Sequence, residues 1–414
     1  MHAVIIVLFI GLCKFSTSIS ITQRTNPSLL RFQGFSKLMM ATEAASYSGK
    51  NIEDMFDDSP EEVHEKILSV DGQPLPSFLR GSLIRNGPGL FGAKHRRFDH
   101  IFDGLAKLTR FHFDNEGTVT FSARYFRSQM YQAFTEGGDI PPGPYTGPVS
   151  PPYTTLQKIT GAVMSMSTFD NVPVNIHQIG DDRGPWVGVT DAPVQLEFDP
   201  VTLETKGKVK SPDGVISAGG VEIFSTAHPH TQNGFTYNLF TELRPLPLPF
   251  YPKGNFLHVV KTDRNLRRTV VGTVGTAGTP EEAGRSDIVP YLHDFSLTEH
   301  YAVVCVWPLR MDLSASATSH RGVMRDMMWA ADAGVKTMIY VFDIRSVGAD
   351  NDAYGAKAGA DQTDKGPVAV FEAPAMFAYH HINAYEEVVR DEAGAETTHI
   401  VMDISGYDTV RTAP

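Results

Sequence analysis

Cysteine is nearly absent from this 414-residue chain; Cys13 and Cys305 are the only two. Cys13 lies in a segment read below as a removed leader. The chain then has no internal disulfide to draw on, and stability must come from a buried core. A basic excess is lacking too. Lys and Arg number 36 against 47 Asp and Glu, a net charge of -11. That argues against nucleic-acid partners, which need a basic face. No run reaches the roughly 18 apolar residues of a membrane-spanning helix. No strong repeated motif is present, which argues against a WD40- or kelch-type array.

Turn-forming residues are abundant instead, with Gly 36 and Pro 27. They suit a chain of short strands joined by loops. Hydrophobic residues make up 42% and charged residues 20%, so the chain is neither disordered nor a coiled coil. There are 15 histidines, and their spacing carries information.

The front of the chain stands apart. Residues 1–42 contain Lys14, Arg24, Arg31 and Lys37 but no acid. Ala3 to Leu12 is apolar throughout, about the length of a signal-peptide core and too short to span a bilayer. Small residues follow in Ser16-Thr-Ser-Ile-Ser20. Residues 1–20 therefore read as signal-peptide-like and 21–42 as transit-peptide-like. Together they resemble a bipartite leader addressing a plastid enclosed by extra membranes. The alternatives are plain secretion, or a true start at Met39 or Met40 with a cytoplasmic product.

Ser59-Pro60-Glu61-Glu62 predicts a helix start, with Ser59 as cap, Pro60 in the first turn and Val63, Ile67 and Leu68 as the apolar face. From about residue 82 the pattern is β. Expected strands include 117–126, 186–198, 220–224, 301–307, 336–344, 368–371 and 399–404, with turn chemistry at Asp114-Asn-Glu-Gly117 and Gln232-Asn-Gly234. So many short strands with few helices suggest a propeller or a large sandwich. Pro141 to Pro152 holds six prolines and must be an irregular loop. Val323 to Ala333, with Met324, Met327, Met328 and Trp329, predicts a helix packed on the core.

Three histidine sites stand out at strand edges: His228-Pro-His230, His293-Asp294 and His380-His381. The gaps between His228, His293 and His380 are 65 and 87 residues, far from zinc-finger or HExxH spacing. If they share a metal, the fold must bring distant strands to one point, as the axis of a propeller does. Imidazole suits Fe, Cu, Ni and Zn. Taken singly, each histidine reads better as a hydrogen-bonded structural residue than as a ligand.

Six motifs occur in a telling order: Arg85-Asn-Gly-Pro-Gly89, Phe102-Asp-Gly104, Asp199-Pro-Val-Thr-Leu-Glu-Thr205, Ala227-His-Pro-His230, His293-Asp-Phe-Ser-Leu-Thr298 and His380-His-Ile-Asn-Ala-Tyr-Glu386. From about Leu75 onward the chain resembles the carotenoid cleavage oxygenases, a family that also includes the retinal-pigment isomerohydrolase and stilbene-cleaving enzymes. The resemblance implies an all-β fold, a seven-bladed β-propeller capped by a helical and loop dome, over residues 50–414. It implies Fe(2+) on four axial histidines, three of which match His228, His293 and His380. His230 and His381 fall beside ligands in the motifs and are not expected to bind. Asp191 matches an acid that orients an imidazole. It is one methylene shorter than the usual glutamate, and its expected partner is His293. The family's fourth histidine lies near its C-terminus. Here only His399 follows His381, and it matches no ligand motif. The sequence therefore reads as a fragment or truncated gene model, with C-terminal blades outstanding.

The activity so implied is oxidative cleavage of a carotenoid or apocarotenoid double bond by O2, yielding carbonyl products. No catalytic side chain beyond the metal centre and no organic cofactor is implied. Peripheral membrane contact is expected, through the Gly137–Pro152 loop with Phe134, Tyr145 and Tyr153. A stilbene-cleaving or retinoid-isomerising relative, or a truncated non-catalytic polyene binder, are the alternatives the sequence leaves open.

Overall fold

Alternation of burial sets the strands. In Ala369–Ala373, Ala369, Phe371 and Ala373 are buried while Val370 and Glu372 face outward, the period of two that a pleated strand imposes. Tyr301–Val306 is buried at every position. Tyr301, Val303 and Cys305 enter one core with Ile339, Phe377 and Met402. Ala302, Val304 and Val306 enter another with Tyr237, Leu239 and Val259. A strand covered on both faces needs an unbroken apolar run. Each fully buried valine stabilises the fold by ~1.5–3 kcal/mol.

The structure is a computed structural model. It describes residues 16–23, 31–38, 52–70, 72, 74–158, 160–161, 169–212, 220–245, 253–279, 282, 285–345, 366–390 and 392–410. The chain is all-β, built on five antiparallel sheets of four or five strands. The first joins Gly81–Leu90, Leu105–Phe113 and Val119–Tyr125, with Val63–Leu68 outermost. The second runs Asn175–Gln178, Trp186–Val189, Gln195–Phe198, Thr205–Lys208. The third runs Val221–Ser225, Phe235–Arg244, Gly254–Thr262, Arg268–Gly275, with His230–Gln232 also on Phe235–Arg244. The fourth runs Ser296–Leu297, Tyr301–Val306, Thr337–Asp343, Ala369–Ala373. The fifth pairs Phe377–Arg390 with Glu396–Tyr407, and Ser16–Gln23 and Arg31–Leu38 add beyond them. Five such sheets are described, where the resemblance implies seven blades. The rest of the leader-like segment lies outside the described residues.

Successive sheets pack face to face. Leu108 of the first meets Leu196 and Phe198 of the second. Val187 and Val189 of the second meet Ala227, beside the third. The fourth sheet is sandwiched between the third and fifth, as Tyr301–Val306 shows. The family motifs are joints in this stack. Asn86 donates to the carbonyls of Val172 and Asn175, tying the first sheet to the second. Asp199 Oδ1 accepts from the N–H groups of Val201 and Thr202 and closes the turn between two strands. Asn233 and Gly234 both take positive φ, 53° and 78°, which is why Asn-Gly makes the hairpin into Phe235–Arg244.

Two helix expectations are corrected. Val63–Leu68 is a strand paired with Val119–Tyr125. The groups assigned to a cap are engaged elsewhere. Glu62 accepts from the Tyr125 N–H and pairs with Arg127 at 2.7 Å. The Ser59 carbonyl accepts from Lys107 Nζ. Residues 323–333 form two 3-10 turns around the strand Met327–Trp329, which pairs with Leu309–Asp312. Met327 and Trp329 do pack on the core, so the apolar reading holds although the helix does not.

Irregular structure around the helices Gln129–Thr135 and Leu313–Thr318 lies apart from the five sheets. Its two parts meet where Val323 and Met324 donate to the carbonyls of Tyr145 and Thr146. The proline-rich stretch is a loop, as expected, apart from the two-residue strand Val149–Ser150. Phe134, Tyr145 and Tyr153 do not face outward. All three are buried in one cluster with Phe98 and Met130, because the Tyr145 and Tyr153 hydroxyls reach the carbonyls of Pro141 and Ile140 and pin the loop down. No helix among the described residues is long and apolar enough to cross a membrane.

Candidate metal centre

Each of the three histidines sits at or beside a strand end in one of three successive sheets. His228 lies between Val221–Ser225 and His230–Gln232, His293 just before Ser296–Leu297, and His380 inside Phe377–Arg390. The backbone at Ala227, next to His228, is held from the second sheet on both sides. Asn175 Nδ2 donates to its carbonyl at 3.0 Å, and its N–H donates to Asp191 Oδ1 at 3.2 Å. The strand carrying His380 is irregular on both sides of His381. Such a bulge re-aims a side chain that regular pleating would place otherwise.

The three rings converge. Their nearest ligand atoms all lie within 4.8 Å of one another. His228 Nε2 and His293 Nε2 are 3.0 Å apart. The His380 ring centroid is 4.9 Å from that of His228 and 5.2 Å from that of His293. Asp191 Oδ2 lies 2.8 Å from His293 Nδ1. The shorter side chain therefore reaches its expected partner. The same oxygen accepts the Tyr291 hydroxyl at 2.8 Å. A carboxylate can only accept here, so Nδ1 of His293 carries the proton and Nε2 presents its lone pair.

Burial keeps His228 and His380 neutral and open to a cation, while Asp191 acts the other way at His293. Burial, reinforced by the neighbouring His293, lowers the His228 pKa to about 4. Burial and His293 also lower that of His380. At His293 burial acts downward, but the Asp191 carboxylate outweighs it and the net direction is up. Three imidazole nitrogens aimed at one point, one steadied by a carboxylate, fit a borderline divalent metal such as iron.

The neighbouring histidines turn away. His230 Nε2 donates to the Phe295 carbonyl at 2.9 Å. His381 is buried, with Nδ1 2.7 Å from Ser296 Oγ. His399 lies on Glu396–Tyr407, opposite Glu387. None of these joins the cluster among the described residues. Sequence reasoning missed Tyr291, Asn175 and Asp294. Tyr291 stands two residues before His293, and Asp294 lies inside a quoted motif. Asn175 offered no signal, because its contact is with backbone in another sheet.

The sequence profile of the retinal pigment epithelial membrane protein family matches residues 56–413. The chain belongs to this family. Among curated relatives it is 29% identical over 368 residues to the β,β-carotene 15,15'-dioxygenase of Gallus gallus, covering 86% of this chain and 62% of that protein. It is 29% identical over 332 residues to carotenoid cleavage dioxygenase 8 homolog A, chloroplastic, of Oryza sativa, covering 79% and 52%. The chain thus spans little more than half the length of these relatives. Among solved structures it resembles a variant of Synechocystis apocarotenoid oxygenase, with TM-score 0.57, 21% identity and coverage of 80% and 60%. It also resembles the cobalt-substituted form of that oxygenase, with TM-score 0.58, 20% identity and coverage of 87% and 64%. These likenesses establish the fold.

Proposed function

We propose that the chain carries the metal centre of a non-haem Fe(II) dioxygenase that splits a carbon–carbon double bond of a carotenoid or apocarotenoid into two carbonyl products. The observation that carries this reading is the convergence of His228, His293 and His380 in a member of this family. The relatives named as carotenoid dioxygenases support the substrate class, and the cobalt-substituted neighbour supports a divalent metal. Bound iron would supply the activation of O2. His228, His293 and His380 would hold it, and Asp191 would keep the His293 proton on Nδ1. Tyr379, 5.5 Å from the His293 ring, offers an aromatic edge beside the ligands for an extended polyene.

We read the five sheets as blades of a seven-bladed propeller. Support comes from their sequential face-to-face packing and from the likeness to the solved oxygenases. Membrane contact for loading a lipophilic substrate falls to two exposed apolar residues: Leu156, just after the proline-rich loop in sequence, and Phe102, next to Asp103, whose carboxylate accepts the Thr146 and Gly147 N–H groups of that loop. The chloroplastic naming of the rice and Arabidopsis relatives supports a plastid address.

The test is to load the full chain with Fe(II) and supply β-carotene and an apocarotenal separately under air. Paired carbonyl products, found by chromatography and mass spectrometry, are expected from one of them. Intact substrate in both arms, with iron stoichiometrically bound, overturns the reading.

A further inference from the structure

The motifs around His293 and His380 lie 87 residues apart, and the structure engages them with each other at four points. Asp294 Oδ2 accepts the His381 backbone N–H at 2.9 Å. Ser296 Oγ meets His381 Nδ1 at 2.7 Å. Glu386 accepts the Thr298 hydroxyl at 2.6 Å, and also the backbone N–H and ring Nδ1 of His300, both at 2.8 Å. The first of these contacts falls at the irregularity in Phe377–Arg390, where the pairing with Glu396–Tyr407 shifts on either side of His381. A bulge leaves a backbone group without its ladder partner, and a buried N–H left so is costly. Asp294 is 5% exposed, and its other oxygen accepts the Phe295 N–H at 2.8 Å. One carboxylate thus fastens the segment carrying His293 to the peptide next to His380.

We propose that Asp294 is a positioning residue: by holding the bulged backbone at His381 it aims the His380 imidazole at the Nε2 atoms of His228 and His293. It touches no metal ligand atom and acts through the backbone. Ser296 and Glu386 hold the same two segments in register further along. The proposal rests on the metal-centre reading above and deepens it.

Cobalt(II) binding by the full chain tests it, read both as affinity and as the visible ligand-field spectrum. The variants are Asp294→Asn, which keeps the side-chain volume and one acceptor, and Asp294→Ala, which removes both acceptors. Asp170→Asn serves as a control for plain destabilisation. Asp170 accepts from the Gln129 and Met130 N–H groups at the start of a helix, away from the three histidines. The expectation is a cobalt affinity lower by about 10–100-fold in Asp294→Ala, the range for outer partners of metal ligands. A smaller loss is expected in Asp294→Asn, with altered ligand-field bands in both. The control should lose thermal stability with an unchanged spectrum. Wild-type affinity and spectrum in the folded Asp294 variants overturn the proposal while leaving the metal centre standing. A wild-type chain that takes up no cobalt overturns the metal centre, and the proposal with it.

Discussion

His228 Nε2 and His293 Nε2 stand 3.0 Å apart although 65 residues separate them in sequence. With the His293 proton fixed on Nδ1 by Asp191, this approach requires either a proton held by His228 or a cation between the rings. Burial lowers the His228 pKa to about 4, so the ring is neutral: its one proton can sit on Nε2 facing His293, or on Nδ1 with a divalent cation taking the place between the rings. Replacing either histidine by alanine should therefore abolish metal retention. We expect about one metal ion per wild-type chain after dialysis. In His228→Ala and His293→Ala the affinity should fall by more than the ~10–100-fold cost of losing an outer partner, checked by calorimetry and elemental analysis.

Asp191 serves two ligand segments at once, with Oδ1 on the Ala227 N–H and Oδ2 on His293 and Tyr291. Asp191→Asn should weaken metal binding by about 10–100-fold. Tyr291→Phe removes the hydroxyl's hydrogen bond to the charged Asp191 and its longer contact, 3.2 Å, with His293 Nδ1. It should cost about 1.5–3 kcal/mol of stability in urea unfolding, with metal stoichiometry retained.

Asp103 gives a pH signature away from the metal. Burial raises its carboxyl from 3.8 to about 6, against the opposing bonds from the Gly147 and Thr146 N–H groups. The folded state therefore binds a proton where the unfolded state does not. The associated stability is fully present below pH 3.8 and is lost as pH rises to about 6. Its size is on the order of 3 kcal/mol. Relative to Asp103→Asn, the wild-type chain should lose stability between pH 4 and 6 and change little above it. Urea midpoints across that range are the measurement.

Asn86 joins the first two sheets through a single amide. Asn86→Ala leaves the Val172 and Asn175 carbonyls without that donor. The expected cost is about 1–3 kcal/mol, seen as a lower thermal midpoint without a change in cobalt spectrum.

The strands were legible because burial writes a period of two, or an unbroken apolar run as in Tyr301–Val306, directly into the residues. The hairpin at Asn233-Gly234 was legible because few residues adopt positive φ. Ser59–Glu62 misled for a physical reason: a capping sequence is a local offer, and Tyr125, Arg127 and Lys107, distant in sequence, made a stronger one. Residues 323–333 misled because apolar residues spaced for a helix also suit a short strand between two turns. The three convergent histidines and Asp191 emerged from motif order, not from spacing. Tyr291, Asp294 and Asn175 stayed hidden because their partners are fixed by tertiary register.

The three imidazoles come from the third, fourth and fifth sheets or the turns beside their strands. An ion bound to all three would cross-link those sheets and close chain segments of 65 and 87 residues. Metal at a hundred times its dissociation constant would add about 2.7 kcal/mol to the folded state. Chelation would then loosen the stacking of whole sheets, so that heat resistance would report metal loading and the centre would act as a rivet as well as a reaction site.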